Sequence, residues 1–141
     1  IVRRAVRRFA GEFIGRKLKL CYEPLNVSCV TDEKWLLFVI EQVLSNALKY
    51  TRAGSITIEL EAPKTLVIRD TGIGVAPEDL PRIFEKGYTG YNGRGDQKAS
   101  GLGLYLCRTI CKRLGHTITA SSVPDHGTAI RITLEQRQVR E

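Results

Sequence analysis

Hydrophobic and polar positions change their period several times along the 141 residues, and each change marks an element. Val2, Val6, Phe9, Phe13 and Ile14 recur at helical spacing with arginines between them, which predicts a helix over 2–15. Residues 17–23, KLKLCYE, alternate as a strand does; Pro24 and Asn26 turn the chain, and 27–30, VSCV, read as a second short strand. Thr31-Asp32 offers an N-cap for a long apolar helix over 33–50, which Gly54 terminates. SITIELE (55–61) alternates cleanly, residues 62–64 turn, and TLVIRD (65–70) follows, so this pair is expected to form a hairpin. A short helix is expected over 78–86. Residues 88–100, YTGYNGRGDQKAS, are polar and glycine-rich, the composition of a lid or binding loop. A second amphipathic helix is expected over 101–115, with Gly115 as its C-terminal cap. Strands over 116–122 and 128–135 then close the chain around PDHG, and 136–141 read as a frayed tail. The order predicts an α+β domain: a mixed, mostly antiparallel sheet with helices packed on one face.

Composition narrows the function classes. The length suffices for one domain with its own core. No run approaches the roughly 18 apolar residues of a membrane helix, and no signal-peptide pattern opens the chain. The chain starts at Ile1 and contains no methionine, so it reads as an excerpt of a longer protein. The formal charge of +7 gathers in residues 3–19 and around Arg94 and Lys98. Few aromatics are interleaved with these clusters, which argues against a nucleic-acid partner and for a polyanionic small ligand. Cys21, Cys29, Cys107 and Cys111 lack zinc-site spacing and read as small, partly buried residues. His116 and His126 lie near turns, without ligand spacing.

The chemistry sits elsewhere. There is no P-loop, and the glycine pairs at 72/74 and 101/103 fail the dinucleotide fingerprint because Pro77 and Leu106 stand where its third glycine is required. Asp-Thr-Gly at 70–72 occurs in aspartic proteases, but those are nearly all β and need two such triplets. Four other features fit together. Gln42, Asn46, Lys49 and Tyr50 share one polar face of an otherwise apolar helix. Asp70 stands at a strand end, followed by Gly72 and Gly74, where backbone can approach a ligand closely. The basic loop 88–100 ends at Gly101 and Gly103, which open a helix whose free N–H groups suit an anion. A carboxylate can accept a purine amino group, an asparagine oxygen can complete the shell of Mg²⁺, and a lysine adds charge to phosphates. These are the parts of an ATP–Mg²⁺ site without a P-loop.

SNALKYT (45–51), DTGIG (70–74), IFEKGY (83–88), GLGL (101–104) and the closing GTAIRITL (127–134) resemble, in order and spacing, the N, G1, F and G2 boxes and final strands of bacterial sensor histidine kinases. These belong to the ATPase superfamily shared with gyrase, Hsp90 and MutL. The resemblance covers residues 17–135 and implies a Bergerat-type two-layer α/β sandwich. It also implies roles. Asn46 coordinates Mg²⁺, Lys49 contacts the phosphates and Tyr50 packs by the adenine. Asp70 bonds the adenine amino group, with Gly72, Ile73 and Gly74 shaping the pocket. Phe84 packs under a lid, while Gly101, Leu102, Gly103 and Leu104 line the phosphate end. Thr128 shares a water with Asp70, and Arg94 and Lys98 reach for the γ-phosphate.

The gyrase and Hsp90 branch places a water-activating glutamate four residues before the asparagine. Here that position is Gln42, without useful basicity, and Glu41 is rotated about 100° away around the helix. The expectation is therefore phosphoryl transfer to a histidine on an upstream dimerisation domain and on to a response regulator. Residues 1–16 would be the end of the linker from that region, 17–135 the catalytic domain and 136–141 a tail. The alternatives are an ATP hydrolase of the gyrase, Hsp90 or MutL type and an anti-sigma-factor serine kinase. The phrase TDEKWLLFVIEQVLSNALKYT further resembles membrane-bound kinases that work with peptide-antibiotic transporters. That implies a cytoplasmic domain of a membrane-anchored homodimer.

Overall fold

The structure is a computed structural model and describes residues 2–15, 18–22, 33–51, 53–61, 64–86 and 103–134. Its elements in chain order are α1 (Val2–Arg8), α2 (Ala10–Gly15), β1 (Lys19–Tyr22), α3 (Glu33–Tyr50), β2 (Ser55–Glu61), β3 (Thr65–Asp70), a 3₁₀ turn (Leu80–Arg82), α4 (Gly103–Leu114), β4 (Thr117–Val123) and β5 (Gly127–Thr133). The predicted helix over 2–15 is divided: Phe9 N–H bonds the Val6 carbonyl, a tightened turn, with the weak helix former Gly11 two residues on. The predicted helix over 78–86 shrinks to the single 3₁₀ turn, because Pro81 cannot donate the backbone bond that a longer helix requires. The predicted strand over 27–30 and the Thr31-Asp32 cap lie outside the described residues.

One five-stranded sheet runs in the order β1-β2-β3-β5-β4. β2 and β3 form the expected antiparallel hairpin, with Ile58 opposite Ile68 and Ile56 opposite Asp70. β3–β5 and β5–β4 are also antiparallel, whereas β1 pairs with β2 in parallel. The parallel pair follows from the connection. β1 reaches β2 through α3, and a helical crossover returns the chain in the same direction.

Alternation along the strands sorts the two faces. Ile56, Ile58, Leu66, Ile68, Ile118, Ile130 and Ile132 are buried in one core with Leu36, Val39, Ile40, Val43, Leu44, Ala47 and Leu48 of α3. Val2 and Ala5 of α1 and Phe13 of α2 join the same core. From α4, Cys107 and Cys111 are fully buried free thiols, and burial pushes them up to about 12 and about 11. The opposite sheet face carries charge: Arg69 pairs with Glu59 and Glu61, and Arg131 with Glu61. Among the described residues no helix is long and apolar enough to cross a membrane.

Candidate functional site

The inward face of the sheet is apolar except at one end. There Ser122, Thr128 and Asp70 follow one another across β4, β5 and β3, and Ile56 continues the row on β2. Asp70 is only 9% exposed. Its Oδ1 accepts the Gly72 N–H at 2.9 Å and the Thr128 N–H at 3.2 Å. Among the described residues both donors go to this one oxygen, so Oδ2 is available to a ligand. Burial pushes the carboxyl above its ordinary value, and the two backbone N–H groups pull it part of the way back. The carboxylate is fixed in direction yet uncompensated in charge, as suits a group that recognises a donor.

The loop after β3 is fastened on both sides. Ile73 N–H donates to the Tyr50 carbonyl at the end of α3 (3.2 Å), and Asp125 N–H in the β4–β5 turn donates to the Ile73 carbonyl (2.7 Å). Val75 N–H reaches Ser122 Oγ at 2.8 Å. Three glycines permit this closeness. A Cβ on Gly72 would collide with the Tyr50 carbonyl and with Thr51. Gly127, at φ +103°, would drive one into the Asp70 carbonyl. Gly74 likewise lies against the Val123 carbonyl. The chain around Asp70 is therefore a closely packed seam between α3 and the β4–β5 hairpin.

Above this seam, α3 presents Gln42, Asn46, Lys49 and Tyr50, all half-buried, spaced by three and four residues. Lys49 Nζ stands 5.4 Å from the Tyr50 ring centre, a cation–π distance. Burial lowers the Lys49 ammonium below its ordinary value and raises the Tyr50 phenol. Gly103 opens α4 directly against α3: a Cβ there would stand 3.2 Å from Gln42 Oε1. The first N–H groups of α4 thus begin beside the polar face of α3. Leu104 packs against the core from this first turn, and Phe84 is buried in the same core together with Ile83.

The structure thus joins Asp70, Gly72, Ile73 and Thr128 in one hydrogen-bonded unit, with Gly74 packed against Val123 beside it, attached through Tyr50 to the helix that bears Asn46 and Lys49. Arg94, Lys98, Gly101 and Leu102 lie outside the described residues. Two participants escaped the sequence reading. Gly127 was hidden in a turn. Ser122 had a signal that went unused: it continues the inward alternation of Ile118 and Ala120, where a polar residue needs a reason.

Fold and site together define an α+β sandwich with a buried carboxylate where one end of a mixed, mostly antiparallel sheet meets two helices. The chain belongs to the family of histidine kinase-, DNA gyrase B- and HSP90-like ATPases, whose model matches residues 31–138. It is 42% identical over 121 residues to the sensor histidine kinase YxdK of Bacillus subtilis, which covers 79% of this chain and 37% of that protein. It is also 42% identical over 107 residues to the sensor protein BceS of Halalkalibacterium halodurans, covering 74% of this chain and 32% of that one. The chain thus spans about a third of the length of the curated relatives it matches. Among solved structures, full-length ShkA in complex with AMPPNP superposes with a TM-score of 0.79 over 93% of this chain and 28% of that one, at 22% identity. The expected two-layer fold is borne out, and the sequence relatives place the domain with sensor histidine kinases rather than with the gyrase or Hsp90 branch.

Proposed function

We propose that this chain binds ATP with Mg²⁺ and is the catalytic domain of a sensor histidine kinase, passing the γ-phosphoryl group to a histidine on an upstream dimerisation domain. One observation carries the reading: the buried Asp70 carboxylate with Oδ1 taken by two backbone N–H groups and Oδ2 left for a ligand donor. In this reading Oδ2 accepts the adenine amino group, and Thr128 assists through a shared water. Gly72, Ile73 and Gly74 let the base come close, and Tyr50 lies beside it. Lys49 and the N–H groups of Gly103 and Leu104, together with Gly101 and Leu102, hold the phosphates. Arg94 and Lys98 act on the γ-phosphate, and Phe84 supports the loop that carries them.

The donor set fits Mg²⁺: Asn46 offers one hard amide oxygen on a half-buried helix face, and this ion takes few protein ligands beside phosphate oxygens and water. Bound there, it would neutralise phosphate charge. Gln42, standing against Gly103, cannot deprotonate water, which supports transfer to a protein over hydrolysis. In the transfer the bond from the γ-phosphorus to ADP oxygen breaks as a bond to imidazole nitrogen forms. The imidazole proton leaves to a base on the acceptor domain. What remains for this chain is positioning and electrostatics.

The wider assignment follows the same line. Residues 1–16 enter from the dimerisation region, 17–135 form the catalytic domain and 136–141 trail from it. The whole protein is a membrane-anchored homodimer with this domain in the cytoplasm. It serves a response regulator and works with a peptide-antibiotic transporter. Calorimetry with ATP and Mg²⁺ on the wild-type chain, Asp70→Asn and Asn46→Ala tests the core of this reading. Tight binding by the wild type and loss in both variants is expected, and unchanged binding by Asp70→Asn would overturn it. Radiolabelled ATP should leave no phosphohistidine on this chain alone but should label an added dimerisation domain.

A further inference from the structure

We propose that Ser122 sets the hydrogen-bonding polarity of the base pocket, forcing the Thr128 hydroxyl to act there as an acceptor, so that the pocket excludes a purine carrying a 6-carbonyl. The inference rests on the reading of Asp70 as the base-recognising group and extends it to a residue outside the family boxes.

Three groups converge on one hydroxyl. Ser122 Oγ lies 2.8 Å from the Gly127 carbonyl, 2.8 Å from the Val75 N–H and 3.0 Å from Thr128 Oγ1. A serine hydroxyl has one proton and two lone pairs. A carbonyl oxygen only accepts, so the Ser122 proton goes to Gly127. A backbone N–H only donates, so Val75 takes one lone pair. What is left for Thr128 is the second lone pair, and the proton between the two hydroxyls belongs to Thr128. All three contacts are satisfied in this arrangement and in no other.

The consequence lies one residue further along the row. With its proton committed to Ser122, Thr128 Oγ1 has only lone pairs to offer its surroundings. Beside it stands Asp70, whose Oδ1 is already occupied and whose Oδ2 also accepts. Two acceptors, directly or through one water, match an exocyclic amino group. Opposite a ring carbonyl they would be left without protons in a poorly solvated corner, which is costly. Without Ser122 the Thr128 hydroxyl is free to rotate and donate, and a 6-carbonyl becomes acceptable.

ATP and inosine triphosphate differ at this position, amino against carbonyl, and so form the natural probe pair. Their dissociation constants for the 141-residue chain are measured by calorimetry with Mg²⁺, beside Ser122→Ala, Thr128→Val and the double variant. The wild type is expected to prefer ATP. Ser122→Ala should shrink that preference by about tenfold, partly through tighter binding of the inosine nucleotide, as expected for relieving one unpaired polar contact. Adding Thr128→Val should abolish the gain, because no hydroxyl remains to turn. If Ser122→Ala fails to fold, Ser122→Cys, with its weak donor, should move the ratio in the same direction. An ATP-to-inosine ratio unchanged in Ser122→Ala, with both affinities lowered alike, would leave Ser122 a merely structural residue and overturn the proposal. A wild type that binds neither nucleotide, or both equally, would instead overturn the reading of Asp70 and this inference with it.

Discussion

Asp70 combines two demands that pull against each other. As a buried carboxylate it is held above its ordinary ionisation range, so between the ordinary and the raised value the folded chain binds more proton than the unfolded chain. Its charge therefore costs stability, fully so above the folded value, and the cost is relieved as pH falls through it. Asp70→Asn keeps an oxygen for the Gly72 and Thr128 N–H groups and removes the charge. Urea unfolding at pH 7 should show the variant more stable than wild type, by roughly 1 kcal/mol, the scale typical of relaxing a functional site. The difference should shrink as pH is lowered through the carboxyl's range. The same substitution presents an N–H₂ to the ligand's amino group, and ATP affinity should drop about 10- to 100-fold. A variant that loses both stability and affinity would mean the carboxylate is structural. Gly127 makes the complementary case. Its φ of +103° and its contact with the Asp70 carbonyl leave no room for a side chain. Gly127→Ala should cost about 2 kcal/mol or more in the same unfolding assay.

At the level of elements, α1 shows what holds a helix to this domain. Arg4 pairs with Glu33 and Arg8 with Glu41 across to α3, at 3.3 and 2.9 Å. Such pairs at a surface contribute on the order of 1 kcal/mol or less, whereas Val2, Ala5 and Phe13 are buried in the shared core. Arg8→Ala should therefore lower stability by under about 1 kcal/mol. Ala5→Asp, which buries a charge at a fully enclosed position, should cost about 3 kcal/mol or more. Chemical denaturation of the two variants side by side decides between ion pairing and apolar burial as the attachment. These elements also show where sequence is legible. The clean alternation of β2 and the apolar stripe of α3 announced themselves, because one buried face imposes a period, while β3 showed itself as a short apolar run ending in Asp70. A mixed sheet was expected, but that β1 is its parallel strand and β2 its partner was not, since the partner of a four-residue strand is a tertiary choice. In the site, Asp70, Asn46 and Lys49 stood out as polar groups interrupting apolar patterns. Ser122 lay in an unremarkable TASS, and only the β4–β5 register and the fold of the loop after β3 show that its hydroxyl meets Thr128, Gly127 and Val75 at once.

For the molecule as a whole, the proposed cleft joins the end of β3, the last turns of α3, the first turn of α4 and the β4–β5 hairpin, parts that the core and the few hydrogen bonds of the seam already connect. A ligand bridging them stabilises the folded state as a unit, by RT ln(1 + [L]/Kd), or about 2.7 kcal/mol at a hundredfold excess over Kd. For a domain of this size that corresponds to a rise in Tm of several degrees. Thermal unfolding of the 141-residue chain should show this rise with ATP and Mg²⁺. Chelating the metal should remove a large part of it, because Asn46 and Lys49 alone would then face an unneutralised triphosphate. Asp70→Asn should show at most about half of this rise at the same ATP concentration, although its ligand-free Tm is higher than that of the wild type. The two curves would thus cross: the variant more stable when empty, the wild type more stable when filled. A wild-type Tm indifferent to ATP would mean that the folded chain does not bind the nucleotide, and would overturn the reading. A shift of equal size in Asp70→Asn would leave the phosphate end intact and remove the base-reading role from Asp70.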